Sequence, residues 1–223
     1  MTFRVLVPQK IANEGTAALR SAGLEVVESP RTDLRTLQEH IRDCQAVLAR
    51  TVDLSRELLE CAPSLQVVSR HGAGVDNVDL AYCRSRGIRV TYAPHANTFA
   101  VAEHAMAMLL AVTKNLRNCD AAVRRGDFGA RNAQYGIELA GKVLGVIGLG
   151  RIGQLVATRA AAGLGMRVIG FDPYVEQADL PAAVRSVPLD DLLASADAVS
   201  IHVPLTPTTV SYTHLTLPTN REV

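Results

Sequence analysis

Short apolar runs alternate with stretches of helical periodicity along most of the chain. FRVLV (3–7), LEVV (24–27), AVLA (46–49), LQVVS (65–69) and IRVTY (88–92) are rich in Val and Ile and predict strands. Between them, mixed apolar and polar patterns predict helices over 13–21, 34–44, 55–61 and 79–86, with Gly23 and Gly87 placed as C-terminal caps. Such β-α-β-α alternation implies a parallel sheet. A second block follows the loop APHAN (93–97). Asn97 or Thr98 can cap a helix predicted to run to about residue 118, whose middle, VAEHAMAMLLAV, is apolar on nearly every side. That pattern predicts a helix buried around most of its circumference, as at a domain boundary. After polar residues punctuated by Gly126, Gly129 and Gly136 come a strand over 143–147, a helix over 152–162, a strand over 167–171, a weak strand over 184–187, a helix over 189–194 and a strand over 198–203. The fold class is therefore α/β, with two parallel-sheet domains.

Composition narrows the core and the partners. Hydrophobic residues make up 48% of the 223, aromatics only 4%, and Trp is absent, so the core is built from Ala, Val, Leu and Ile. Such residues suit parallel sheets covered on both faces. With 23 basic against 22 acidic residues, and no basic run, nucleic acid is not an expected partner. Cys44, Cys61, Cys83 and Cys119 form no C-x-x-C pair, so neither a zinc site nor a disulfide framework is indicated, and a reducing cytoplasm fits. The start MTFRVLVPQK has no apolar signal core. The longest apolar run, 105–112, falls short of the roughly 20 residues a bilayer requires, so no membrane is expected.

The stretch VLGVIGLGRIG (143–153) is where chemistry first shows. A strand runs directly into Gly148, Gly150 and Gly153, and an apolar helix begins inside the motif. In a dinucleotide cradle the first glycine permits the tight turn, the second lets the backbone approach a pyrophosphate, and the third lets helix and strand pack closely. The helix N-terminus supplies free amides and about half a positive charge from its dipole. Asp172 ends the next strand, where a carboxylate accepts from ribose hydroxyls and repels a 2′-phosphate; no Arg or Lys follows in Pro173, Tyr174 or Val175. NAD is thus favoured over NADP. Arg151 either lies along the pyrophosphate or is a solvated helix-start residue.

Four segments together resemble the D-isomer-specific 2-hydroxyacid dehydrogenases, a family that includes phosphoglycerate dehydrogenase, glyoxylate/hydroxypyruvate reductases and NAD-dependent formate dehydrogenase. They are SRHGAGVDNVD (69–79), NTFAVAEHAMAMLL (97–110), LGVIGLGRIG with FDPY, and VSIHVPLTPTT (199–209), and the likeness extends over about residues 3 to 210. It is closest to the phosphoglycerate dehydrogenase-like members. The resemblance implies a flavodoxin-like substrate domain over 1–97 and an incomplete Rossmann domain over 98–210. It implies an NAD-dependent oxidoreductase moving a hydride between the nicotinamide and C2 of a small 2-hydroxy or 2-oxo acid of the phosphoglycerate, glyoxylate or hydroxypyruvate type. Gly72, Ala73, Gly74 and Val75 would meet the substrate carboxylate, with the amides of Gly74 and Val75 foremost. Gly148, Gly150, Arg151, Ile152, Gly153, Asp172, His202, Val203 and Pro204 would meet NAD, though His202 could equally satisfy a neighbouring carbonyl. The segments 97–118 and 124–136 resemble the family's dimer-forming region, so the complete protein is expected to be a homodimer. The alternative within the same fold is a non-catalytic NAD-binding co-repressor.

The family's catalytic Arg, Glu and His all fall after the segment matching Thr209, so no catalytic residue is assigned up to Val210. Residues 211–223, SYTHLTLPTNREV, do not match the helix and strand the family has there, and resemble a translated sequencing-adapter read-through. His214 is therefore not assigned a role. The chain is read as an N-terminal fragment, expected to be inactive, whose second sheet, in the order 3-2-1-4, ends on an unpaired fourth strand. Glu103 and His104 point about 100° apart on their helix and cannot both face one substrate, so Glu103 is read as a structural acceptor. His71 and His95 are given no catalytic role.

Overall fold

In the computed structural model, residues 2–133, 135–204, 206, 208 and 209 are described. The chain divides between Asn97 and Thr98 into two compact units.

The first unit holds β1 (Arg4–Val7), α1 (Asn13–Ser21), β2 (Glu25–Glu28), α2 (Leu34–Ile41), β3 (Ala46–Ala49), α3 (Arg56–Leu59), β4 (Val67–Arg70), α4 (Leu80–Ser85) and β5 (Arg89–Tyr92). Its sheet runs β2-β1-β3-β4-β5 with every pairing parallel. Val5, Leu6, Val7, Val47 and Val68 fill the sheet, while Leu37 and Ile41, four apart on α2, turn one helix face onto it. Asp33 caps α2 by accepting from the Thr36 amide at 3.0 Å, and Asp79 caps α4 through the Tyr82 amide at 2.8 Å. Several elements are shorter than their periodicity predicts, and for two of them the hydrogen bonds show why. β4 begins at Val67 because the Leu65 amide turns back to the Ala62 carbonyl, and α2 ends at Ile41 because the Cys44 amide closes a turn onto its carbonyl.

The second unit holds α5 (Thr98–Thr113), α6 (Leu116–Arg124), a 3-10 turn (Phe128–Asn132), β6 (Val143–Ile147), α7 (Arg151–Leu164), β7 (Arg167–Phe171), β8 (Val184–Ser186), α8 (Leu189–Ser195) and β9 (Ala198–Ile201). Its sheet is parallel throughout in the order β8-β7-β6-β9, the expected 3-2-1-4, so β9 lies at the margin of the described sheet. All five residues of β6 are buried, as its continuous apolar run requires of a central parallel strand.

The long helix expected to reach about residue 118 is instead two helices. Asn115 takes a left-handed backbone (φ 51°), which ends α5 and starts α6; its side-chain oxygen accepts from Asn118 Nδ2 at 2.7 Å. Burial of the first of them is also less than its composition predicts. Ala105, Met106, Leu109 and Leu110 pack onto the α7 side of the core, but Phe99, Met108 and Val112 are 65%, 52% and 74% exposed. An apolar helix is buried only where another layer covers it, and among the described residues α5 has one such layer.

Residues 211–223, including His214, lie outside the described residues. No helix among the described residues is long and apolar enough to cross a membrane, and no group of three or more His, Cys, Asp or Glu there could hold a metal ion. All four cysteines are free.

Candidate functional site

The turn from β6 into α7 is built so that protein groups occupy every side of it but one. Gly148 has φ +89°, a conformation that L side chains rarely adopt, and a Cβ there would stand 2.7 Å from the His202 carbonyl and 2.8 Å from Val203 Cγ1. At Gly153 a Cβ would overlap the Gly148 carbonyl oxygen. Gly150 differs: a Cβ there would meet nothing within 4 Å. Folding therefore requires Gly148 and Gly153, and among the described residues leaves the space over Gly150 open.

Of the backbone donors around that space, two are spent and four are not. Gly148 N–H donates to the Phe171 carbonyl at 2.9 Å and Leu149 N–H to Asp172 Oδ2 at 2.8 Å. The amides of Gly150, Arg151, Ile152 and Gly153 have no acceptor among the described residues, since the first turn-closing bond of α7 is Gln154 N–H to the Gly150 carbonyl at 3.0 Å. Four free donors at the positive end of a fourteen-residue helix suit an anion.

Asp172 follows β7, one strand over. Each of its carboxylate oxygens accepts one backbone N–H, from Leu149 and from Tyr174 (2.9 Å), which fixes the carboxylate beside the turn and leaves lone pairs for hydroxyl donors. Leu149 is fully buried, its side chain lying where a Cβ on Gly170 would otherwise sit, at 2.7 Å from Leu149 Cδ1. The chain leaving β9 brings His202 and Val203 against Gly148, while Pro204 and Arg151 are exposed nearby in sequence. His202 Nε2 lies 2.8 Å from Ser200 Oγ, so its polar partner is a hydroxyl and not the neighbouring carbonyl that sequence left open. Burial holds the His202 imidazole below its ordinary pKa.

These residues fit a dinucleotide. A cradle that a single Cβ would invade, four donors without acceptors and a carboxylate on the adjoining strand match a pyrophosphate and a ribose diol.

In the first unit, the loop leaving β4 holds the other predicted cluster. Gly72 has φ +150° and the Arg70 guanidinium lies over it, donating from Nη1 to the His71 carbonyl at 2.7 Å. The Gly72 amide is already spent on the Arg70 carbonyl at 2.9 Å, whereas those of Ala73, Gly74 and Val75 meet no acceptor among the described residues. Asn77 braces the loop from below: its Nδ2 donates to the Val52 carbonyl at 2.6 Å, and its carbonyl accepts from Leu54 N–H at 2.8 Å. Asp79 caps α4, as its place before that helix suggests. Glu103 pairs with Arg159 at 3.5 Å, and His71, His95 and His104 are exposed.

Sequence reasoning passed over Leu149, Gln154 and Arg70. Leu149 and Gln154 carry no signal beyond lying within or beside the glycine motif, and Arg70 only that it precedes a glycine-rich loop.

The model of the D-isomer specific 2-hydroxyacid dehydrogenase NAD-binding domain matches residues 106–214. D-3-phosphoglycerate dehydrogenase of Mycobacterium leprae is 41% identical over 207 residues, covering 92% of this chain and 39% of that protein, so the chain spans about two fifths of the length of the curated relatives it matches. Among solved structures, the TT0316 protein of Thermus thermophilus superposes with a TM-score of 0.85 at 36% identity, over 93% of this chain and 67% of the other. D-lactate dehydrogenase of Aquifex aeolicus, solved with NAD and lactic acid, gives 0.82 at 30% identity over 92% and 62%. The glycine turn, its adjoining acid, the parallel sheets and these likenesses agree: the chain belongs to the D-isomer-specific 2-hydroxyacid dehydrogenase family, and its second unit is of that family's NAD-binding type.

Proposed function

We propose that this chain is the dinucleotide-holding and carboxylate-holding part of an NAD-dependent dehydrogenase acting at C2 of a small 2-hydroxy acid of the phosphoglycerate, glyoxylate or hydroxypyruvate type. The observation that carries the reading is the empty space over Gly150, ringed by amides without acceptors. The N–H groups of Gly150, Arg151, Ile152 and Gly153 take the pyrophosphate. Asp172 accepts from both ribose hydroxyls and, by charge, turns away a 2′-phosphate. His202, Val203 and Pro204 line the adenosine side. Ala73, Gly74 and Val75 offer their amides to the substrate carboxylate, and Gly72, its own amide occupied, shapes that loop. The bound nicotinamide supplies or accepts the hydride. Proton transfer at the substrate oxygen falls to the His that the family resemblance places after Val210, with a Glu paired to that His and an Arg orienting the substrate carboxylate and carbonyl.

The complete protein is read as a cytoplasmic homodimer. Met108, Val112, Leu116, Val123 and Phe128 are 52%, 74%, 52%, 75% and 83% exposed along α5, α6 and the 3-10 turn, an apolar face that a second copy covers in a homodimer. Four free cysteines suit a reducing cytoplasm.

Fluorescence titration of the 223-residue chain with NADH and NADPH tests the reading. Saturable binding of NADH, with NADPH weaker and the difference abolished in Asp172→Ala, is the expected result. Absence of NADH binding, or a preference indifferent to Asp172, overturns it. Turnover is to be assayed on a protein completed beyond Val210, where Arg, Glu and His are expected in that chain order.

A further inference from the structure

Gln154 is the first α7 residue past the glycine motif, and no role has yet been given to its side chain. Its Nε2 reaches back five residues and donates to the Leu149 carbonyl at 2.9 Å. That carbonyl belongs to the peptide unit joining Leu149 to Gly150, whose other polar group is the Gly150 N–H. The unit is planar and trans, so its N–H points opposite to its C=O. Holding the carbonyl on the Gln154 side therefore turns the Gly150 N–H away from Gln154.

This peptide most needs such a hold. Glycine on its C-terminal side makes rotation of the unit cheap, because no Cβ resists it. Turned over, the unit would present a carbonyl oxygen, not an N–H, in the place of one of the four free donors. The preceding bonds do not prevent this: Asp172 fixes the Leu149 N–H and the core fixes the Leu149 side chain, but both act before the Leu149 carbonyl.

We propose that Gln154 is a positioning residue that locks the Leu149–Gly150 peptide with its N–H available to the pyrophosphate. The proposal rests on the dinucleotide reading of the site given above. Gln154→Met tests it, since methionine keeps the length and helix propensity of glutamine and loses the side-chain amide that donates to the Leu149 carbonyl. NADH affinity is measured by fluorescence titration and adenosine affinity by NMR shift titration, beside the thermal midpoint. Losing one hydrogen bond's worth of alignment, the variant is expected to bind NADH about tenfold more weakly, with adenosine, which has no phosphate, unchanged. Equal NADH affinity in both proteins, or a parallel loss for NADH and adenosine, overturns the proposal. A wild-type chain that binds no NADH would instead remove the dinucleotide reading itself.

Discussion

Gly148, Gly150 and Gly153 share a letter and differ in the reason for it. At Gly148 a positive φ and the His202 carbonyl exclude a side chain, and at Gly153 the Gly148 carbonyl does so, whereas among the described residues nothing crowds Gly150. Gly148→Ala is expected to destabilise the second unit by at least about 1–2 kcal/mol from backbone strain alone, read as a lowered unfolding midpoint. Gly150→Ala is expected to leave that midpoint unchanged and to weaken NADH binding more than about tenfold, because the methyl group stands where the phosphate must approach. Asp172→Asn loses the charge and keeps only one of the two acceptors, setting an NH2 donor against the Leu149 or Tyr174 N–H, so NADPH should gain relative to NADH at a cost of about 1 kcal/mol in stability. The spacing of the glycines and Asp172 was legible because each sits at a fixed offset along one strand-turn-helix unit. Which glycine the fold needs was not, since at Gly148 the deciding atoms come from residues 202 and 203, some fifty positions further along the chain, and at Gly153 from the way the turn closes on the Gly148 carbonyl.

Alternation of apolar runs with helical patterns located the elements well where a strand is buried on both sides. β3, β6 and β7 coincide with their apolar runs, and α1 with its pattern. The break between α5 and α6 was not legible, because one left-handed residue interrupts a helix without disturbing its composition. Asn tolerates that conformation better than other side chains. Asn115→Ala should cost about 1–2 kcal/mol in a chemical denaturation curve, and Asn115→Gly much less. Beyond the end of β9, His202 couples its surroundings to pH. Burial lowers its pKa in the folded chain, so near and below about pH 6.5 the unfolded chain binds a proton that the folded one resists. Its contribution is full above that pH and is lost as pH falls toward the folded value. Calorimetry from about pH 7.5 to about pH 5.5, a window that brackets the ordinary histidine pKa, should show the second unit melting earlier as acid is added, and less so in His202→Gln.

For the molecule as a whole, the sequence conveyed two parallel sheets but misjudged how much of α5 is covered. Continuous hydrophobicity shows that a helix shuns water and does not show what shields it. Met108, Val112, Leu116, Val123 and Phe128, on α5, α6 and the 3-10 turn, are each more than half exposed. Sedimentation at rising concentration should reveal reversible self-association, weakened by Val112→Asp with Phe128→Asp. Leu149, wholly enclosed although it lies within the glycine turn, has a thermodynamic corollary. A turn anchored in a hydrophobic interior cannot melt ahead of that interior, so the mould for the dinucleotide exists before the ligand arrives and vanishes only when the unit unfolds. Each tenfold excess of NADH over its dissociation constant should then add about 1.4 kcal/mol to the resistance of this unit to heat.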